Sequence, residues 1–561
     1  MMGVSDMWQP DNGDGTYSNP ILYTDYSDPD AIRSGNDFYM TASSFSNAPG
    51  LPILHSKDLV HWEIINYALK KLPEARYDNP VHGCGVWAPA IRKNAGKFYI
   101  YFPMPDEGIY VTTADDPAGE WSRPVNIRPG AGWIDPCPFW DEDGRAWLIN
   151  ALAGSRAHKK DVLLLSEMSP DGMSLISEPE VIFDGSGNGN RTVEGPKLYR
   201  RGGWYYIFAP AGGVKQGWQL VLRSRSIHGP YEYRVVMKQG NTAVNGPHQG
   251  AWVTTPAGED WFLHFQDVGA AGRIVHLEPM RWVSDWPVIG AAAPGQTFGT
   301  PVRKWNKPKI LGDLEKNADL LQREVNVGPV CSDEFETGTP NLAWQWNANP
   351  DPDFTDTEKE VRGLVLNAVP ASHLRPTGDL RNLLLQKWPA PQFYWECKMD
   401  VSDMNDGDRA GIISLGTKYQ VLQVRRQGNA WLLDTIEGNQ EFDRERCYTE
   451  EYKESSILPL SFAEKKEKIL YFRMSVVPAG KVPESRNSGG EVIPEHTRWV
   501  VSLSVGRTRG DSESIIRREA VPGRWVGVKG GIFCSHDADV KTDPGRVCAE
   551  WVRYGKYTDL L

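Results

Sequence analysis

Through its first 290 residues the chain alternates short apolar, aromatic-rich runs with tight polar turns, and it writes that alternation five times. Each copy starts at a proline, crosses a turn of Gly, Asn or Asp, and enters an aromatic run. The copies are Asp28-Pro29 with Phe38-Tyr39-Met40, Ala88-Pro89 with Phe98-Tyr99-Ile100, and Asp135-Pro136 with Ala146-Trp147-Leu148. Glu194-Gly195-Pro196 with Trp204-Tyr205-Tyr206 and Gly246-Pro247 with Trp261-Phe262-Leu263 complete the set. The marker prolines 29, 89, 136, 196 and 247 are 60, 47, 60 and 51 residues apart, a period that signals repeated supersecondary units. Two further strand-like runs follow each aromatic one, such as Leu51 to His55 and His61 to Ile64, with turns like Ser169-Pro170-Asp171-Gly172 between them. Four strands in about 50 residues fit a propeller blade. The pattern therefore predicts a five-bladed β-propeller over 1–290; the alternative is a β-sandwich whose turns resemble one another. Long helical periodicity is missing, which disfavours a β/α barrel.

Residues 291–329 carry no repeat and read as a linker. From Val330 the pattern is again β, in runs such as Phe393 to Met399, Tyr419 to Val424 and Trp525 to Phe533. Residues 330–561 thus predict a two-sheet β-sandwich, and the whole chain an all-β protein.

At 561 residues there is room for two separate cores. The net charge of -11 argues against a nucleic-acid or anionic-membrane partner, because phosphate binding needs a basic face. No apolar run reaches the length of a membrane span. The first 17 residues are polar and lack the basic-then-apolar order of a secretory signal. Seven cysteines, an odd and scattered set, read as free thiols in a reducing compartment. Together these give the expectation of a cytoplasmic protein, with a homo-oligomer left open. The 22 Trp and 21 Tyr mostly fill β cores, and a surplus near a cleft suits sugars, whose C–H faces lie on aromatic rings.

Three of the five copies carry an acid beside the marker proline: Asp28, Asp135 and Glu194. If the units close into a ring, these acids meet near its axis, in equivalent register. Carboxylates flanking a glycosidic bond are what sugar hydrolysis requires, and crowding them raises the pKa of at least one. An isolated Asp-Pro is more often a turn; three acids in one place of a repeat favour chemistry.

These residues resemble the glycoside hydrolases of family 43, which include β-xylosidases and α-L-arabinofuranosidases. The resemblance runs in order through Asn19-Pro20-Ile21-Leu22, Tyr26-Ser27-Asp28-Pro29-Asp30, Ser43-Ser44-Phe45, Val86-Trp87-Ala88-Pro89, Ile134-Asp135-Pro136 and Glu194-Gly195-Pro196. Residues 330–561 look like the concanavalin-like jelly roll that follows the propeller in the xylosidase-type branch. The resemblance implies an inverting mechanism on an oligosaccharide substrate, with Asp28 as general base, Glu194 as general acid and Asp135 orienting and tuning that acid. It further implies Arg273 beside the acids, Phe45 and Trp87 walling the terminal sugar pocket, and His248 contacting a hydrated, structural Ca2+ on the axis; no cofactor is required for the chemistry. The expected activity is exo-acting release of terminal β-D-xylose or α-L-arabinofuranose. The competing readings are a retaining, fructan-type propeller enzyme and a non-catalytic sugar-binding protein.

Overall fold

The structure, a computed structural model, describes residues 7–310, 328–357, 362–372, 375–442, 448–460, 462, 467–486, 492–493, 495–510 and 513–560. Five four-stranded antiparallel sheets follow one another along the chain and close into a propeller. Blade 1 comprises Asp30–Ser34, Asp37–Thr41, Gly50–Ser56 and Glu63–Leu69; blade 2 comprises Ala90–Asn94, Lys97–Met104, Gly108–Ala114 and Val125–Pro129. Blade 3 comprises Trp133–Trp140, Ala146–Leu152, Val162–Met168 and Glu180–Asp184. Blade 4 comprises Lys197–Arg201, Trp204–Ala211, Trp218–Ser224 and Glu232–Lys238, and blade 5 His248–Thr254, Asp260–Asp267, Arg273–Val283 and Trp286–Ile289.

The turn residues read from the sequence make the tight hairpins between first and second strands. In blade 2, Asn94 pairs with Lys97 across Ala95 and Gly96, both at positive φ; in blade 4, Arg201 pairs with Trp204 across Gly202 and Gly203, again both positive. Two left-handed residues give the primed turn whose twist matches the flanking strands. The aromatic runs then place Phe38, Phe98, Trp147, Tyr206 and Phe262 in the inter-blade core.

The ring is closed by packing and by chain ends. Ala31, Phe38 and Met40 of blade 1 share a core with Ala251, Val253, Leu263 and Leu277 of blade 5. Ahead of blade 1, Leu22 bridges Val275, and Thr16–Ser18 pairs with Lys304–Asn306. The stretch expected to be a linker therefore returns to the propeller: Ala291 bridges Thr300, and the Gly299 amide donates to the Val236 carbonyl. Its residues 311–327 lie outside the described residues.

The second half is a two-sheet sandwich. One sheet runs in the order Gln345–Trp346, Leu384–Lys387, Lys529–Asp537, Asp408–Leu415, Lys418–Gln427, Ala430–Phe442, Tyr448–Leu460, with Val369–Ala371 parallel to Lys529–Asp537. The other runs Leu364–Asn367, Arg546–Gly555, Phe393–Asp400, Ile469–Val482, His496–Gly506, Glu513–Glu519. Trp388, Trp395, Phe472, Met474 and Ile532 fill the space between. Among the described residues no helix is long and apolar enough to cross a membrane.

The two halves are hydrogen-bonded through their backbones. Ala48 and Trp346 exchange amide-to-carbonyl bonds of 3.0 and 2.6 Å, and the Val528 amide donates to the Ala270 carbonyl at 2.8 Å. The Asn349 side chain satisfies both the amide and the carbonyl of Leu72. Backbone pairing of this kind fixes register as well as distance, so the sandwich holds a set position over one end of the propeller.

Candidate active site

The site lies where the first strands of the blades begin. Asp28 and Asp135 are both buried, and both stand before a proline with φ of 55°. A residue preceding proline prefers extended backbone, and left-handed backbone there costs on the order of 1–3 kcal/mol. The closed ring holds that strain, which aims both side chains toward the axis.

The sequence placed the three acids in equivalent register, and the structure corrects this for Glu194. In blade 4 the left-handed residue before the proline is Gly195, at φ 59°. A Cβ on Gly195 would lie 2.3 Å from the Gln249 side chain, so no acid fits there. The acid stands one position earlier, and the extra methylene of a glutamate lengthens its reach.

Each carboxylate has distinct partners. Asp28 Oδ2 accepts from the Ser27 and Ser43 hydroxyls, both at 2.6 Å. Arg273 Nη1 approaches Asp28 Oδ1 to 3.2 Å and also donates to Ser27 Oγ at 2.8 Å. Asp135 Oδ2 accepts from the Gly195 amide at 2.8 Å, which ties it to the peptide bearing Glu194. Burial, followed by the charges of Glu194 and Asp28, pushes the Asp135 carboxyl up to about 8; the Gly195 amide and the buried Lys197 act in the opposite sense. Lys197 is itself held by the Pro89 carbonyl at 3.0 Å. Glu194 Oε1 lies 2.9 Å from His248 Nε2. The Glu194 side chain is 27% exposed, whereas Asp135 is 3% exposed. Of these two acids, Glu194 is therefore the one able to meet a ligand.

Arg273 and His248 join the acids directly, and Phe45 follows two residues after Ser43, a partner of Asp28. Phe45, at φ 52°, bridges Val86, and its ring centroid is 6.5 Å from that of Trp87. Arg156 stacks its guanidinium over Trp87 at 4.8 Å while pairing with Asp106 at 3.3 Å. His248 is engaged by Glu194 through one nitrogen, and its buried Nδ1 meets no partner among the described residues. That orphaned nitrogen is a single donor. Among the described residues the one group of three ligand-type side chains is His264, His276 and Glu278 in blade 5, which excludes His248. His248 Nδ1 is thus the nitrogen of this residue left to meet a hydrated Ca2+.

Sequence reasoning missed Trp525. This residue comes from the sandwich, at φ 62°, and sets its ring 4.8 Å from Trp87 at an interplanar angle of 72°. Edge-to-face contact is a favoured aromatic geometry. Neighbouring Arg524 packs against Gly83, where a Cβ would meet its side chain at 2.9 Å. Nothing local in the sequence marks these positions as belonging to the site.

Three converging carboxylates, one fixed cation and a set of packed aromatic rings are the parts a glycoside hydrolase needs. Comparison with known proteins agrees. The model for glycosyl hydrolases family 43 matches residues 17–287, and that for the beta xylosidase C-terminal concanavalin A-like domain matches residues 332–555. A provisionally named beta-xylosidase of Xylanibacter ruminicola is 42% identical over 383 residues, spanning 67% of this chain and 67% of its own length. A non-reducing end alpha-L-arabinofuranosidase of Bacteroides ovatus is 28% identical over 439 residues, 74% of this chain and 77% of that one. The solved xylan beta-1,4-xylosidase of Bacillus halodurans has a similar fold, with a TM-score of 0.74 at 22% identity over 96% of this chain and all of that one. The chain belongs to glycosyl hydrolase family 43.

Proposed function

We propose that the protein removes a terminal pentose, β-D-xylose or α-L-arabinofuranose, from the end of an oligosaccharide, with inversion at the anomeric carbon. The observation that carries this reading is the division of labour among the acids. Asp28 receives two hydroxyls and a guanidinium, Glu194 reaches the opening beside His248, and Asp135 is buried behind it.

In an inverting hydrolysis a base deprotonates water on one face of the sugar while an acid protonates the departing oxygen on the other. Asp28 is suited to the base: every neighbour that touches its oxygens is a donor, so those oxygens are held as acceptors. Glu194 is suited to the acid, since of the two carboxyls that share a blade boundary only it approaches solvent. The proton retained by crowding belongs to the cluster as a unit. Asp135 keeps that proton in the cluster near neutral pH and, through the Gly195 amide, fixes the peptide from which Glu194 projects. Trp525, edge-on to Trp87, is suited to close one end of the sugar site, as removal of a single terminal residue demands.

Kinetics on 4-nitrophenyl β-D-xylopyranoside and 4-nitrophenyl α-L-arabinofuranoside test this. Asp28→Asn and Glu194→Gln are each expected to lower kcat by at least ~10²–10⁴ with the fold intact. Glu194→Gln should be milder on the nitrophenyl substrates, whose leaving group needs no proton, than on xylobiose. Equal losses on both kinds of substrate would remove Glu194 from the acid role.

A further inference from the structure

Asp25 is a buried carboxylate that stands outside the acid cluster and touches both halves of the molecule. Its Oδ1 accepts from the backbone amide of Arg273 at 2.9 Å, and its Oδ2 accepts from the backbone amide of Gly527 at 2.8 Å. Arg273 is the residue whose guanidinium holds Asp28; Gly527 lies two positions after Trp525. One carboxylate therefore spans the arginine of the cluster and the loop that caps it.

The surroundings are shaped for this bridge. A Cβ on Gly272 would fall 2.5 Å from the Asp25 carboxyl carbon, and a Cβ on Gly527 would fall 2.8 Å from the Gly272 nitrogen. Two glycines, one from each half, let the backbones close around the carboxylate. The adjacent Val528-to-Ala270 hydrogen bond continues the seam. Two buried lysines supply opposing charge: Lys387, with Nζ 3.8 Å over the Tyr26 ring, and Lys529, which donates to Asn47 Oδ1. A buried carboxylate left unpaired is costly, and two backbone amides hold this one, with the two lysines close enough to feel its charge.

We propose that Asp25 is a positioning residue that sets the Trp525 cap and the Arg273–Asp28 pair in one joint arrangement, so that closing of the sugar pocket and alignment of the base are coupled. The inference deepens the reading given under Proposed function and rests on it. Sequence placed Asp25 beside a catalytic motif; only the structure shows that it reaches the other domain.

The test uses the full chain with two single variants and their combination. Asp25→Asn keeps the shape but turns one acceptor into a donor facing an amide. Gly527→Ala pushes the loop away from Gly272 and leaves Asp25 intact. Each is expected to raise KM and lower kcat for the nitrophenyl pentoside, with a combined loss in kcat/KM of about 10- to 100-fold. Because both cut the same link, the double variant should be no worse than the poorer single one. The ratio of kcat/KM on xylobiose to that on xylotriose should shift in all three. A fall in kcat at unchanged KM and unchanged chain-length preference would mean fewer active molecules rather than a displaced cap, and would overturn the proposal. Losses that multiply in the double variant would overturn it as well. Should Asp25→Asn fail to fold, Gly527→Ala alone still decides through its KM and length preference. A wild-type protein inactive on both pentosides contradicts the functional reading itself, whereas an active wild type with unaffected variants contradicts this inference alone.

Discussion

Replacing Arg273 by alanine isolates the cation that organises the proposed base. The guanidinium nitrogen stands 3.2 Å from Asp28 Oδ1, and both side chains are nearly excluded from water, at 9% and 8% exposure. At an effective dielectric constant of about 20, unit charges at that distance attract by roughly 5 kcal/mol. Desolvation cancels much of this, and a hydrogen bond to a charged partner typically retains about 1.5–3 kcal/mol. A loss of that size in transition-state alignment lowers kcat/KM by roughly 10- to 150-fold. Arg273 also stacks over Phe265 at 4.8 Å, so its removal leaves a gap, and thermal unfolding must show that the variant is folded. The assay is initial-rate kinetics on the preferred nitrophenyl pentoside, with and without added guanidinium at concentrations that leave the wild type unaffected. Recovery of several-fold by guanidinium is the expected signature of a missing cation. Arg273→Lys should fall between the two, since ammonium restores charge but not the planar guanidinium whose Nη1 meets Asp28 and Ser27 together. A folded Arg273→Ala protein that keeps more than a third of wild-type kcat/KM would refute the reasoning.

Further outcomes follow from the same geometry. Trp525→Ala removes one edge-to-face contact of about 0.5–1.5 kcal/mol and should raise KM about 2- to 12-fold with kcat little changed; a KM within error of wild type would separate the sandwich loop from the pocket. Asp135 keeps its proton up to about 8 in the folded chain against an ordinary value near 4, so the folded state binds more protons in between. Stability from this group is therefore lost as pH rises through that window, and denaturant titrations should show a flatter pH dependence for Asp135→Asn than for wild type. Asp30→Asn breaks a pair whose carboxylate is fully buried, in which Oδ2 takes both Arg92 Nη1 at 2.6 Å and the Ile91 amide at 2.7 Å. A loss of about 3–5 kcal/mol, seen as a Tm lower by roughly 5–15 °C, is expected; a shift under 2 °C would mean the pair is not closed to water.

Much of the architecture could be read from one regularity. The proline-marked period of about 50 residues specified blades, and tight Gly-containing turns specified the hairpins between their first two strands. The same regularity brought out Asp28, Asp135 and Glu194, because residues at one place in a repeat return to one place around a ring. It did not reveal that Glu194 is a position early, since the cause is a steric one: Gln249, more than 50 residues on, occupies the space a side chain at 195 would need. His248 was legible as a residue of interest but not as the partner of Glu194, because that contact joins two blades. Trp525 and Asp25 were illegible for a different reason. Their roles depend on how the sandwich docks, and docking is set by backbone pairs such as Ala48 with Trp346 that have no sequence periodicity. The return of residues 299–306 to the propeller was hidden likewise, as three residues pairing with Thr16–Ser18 are too short to show a pattern.

The division of roles among the carboxylates is tested most directly by the configuration of the sugar at the moment of release. Proton NMR of the first minute of 4-nitrophenyl β-D-xylopyranoside turnover, before mutarotation, distinguishes the two anomers. Water delivered by Asp28 from the face opposite Glu194 gives α-xylose first. β-Xylose as the first product would place a carboxylate on the anomeric carbon itself and contradict the assignment.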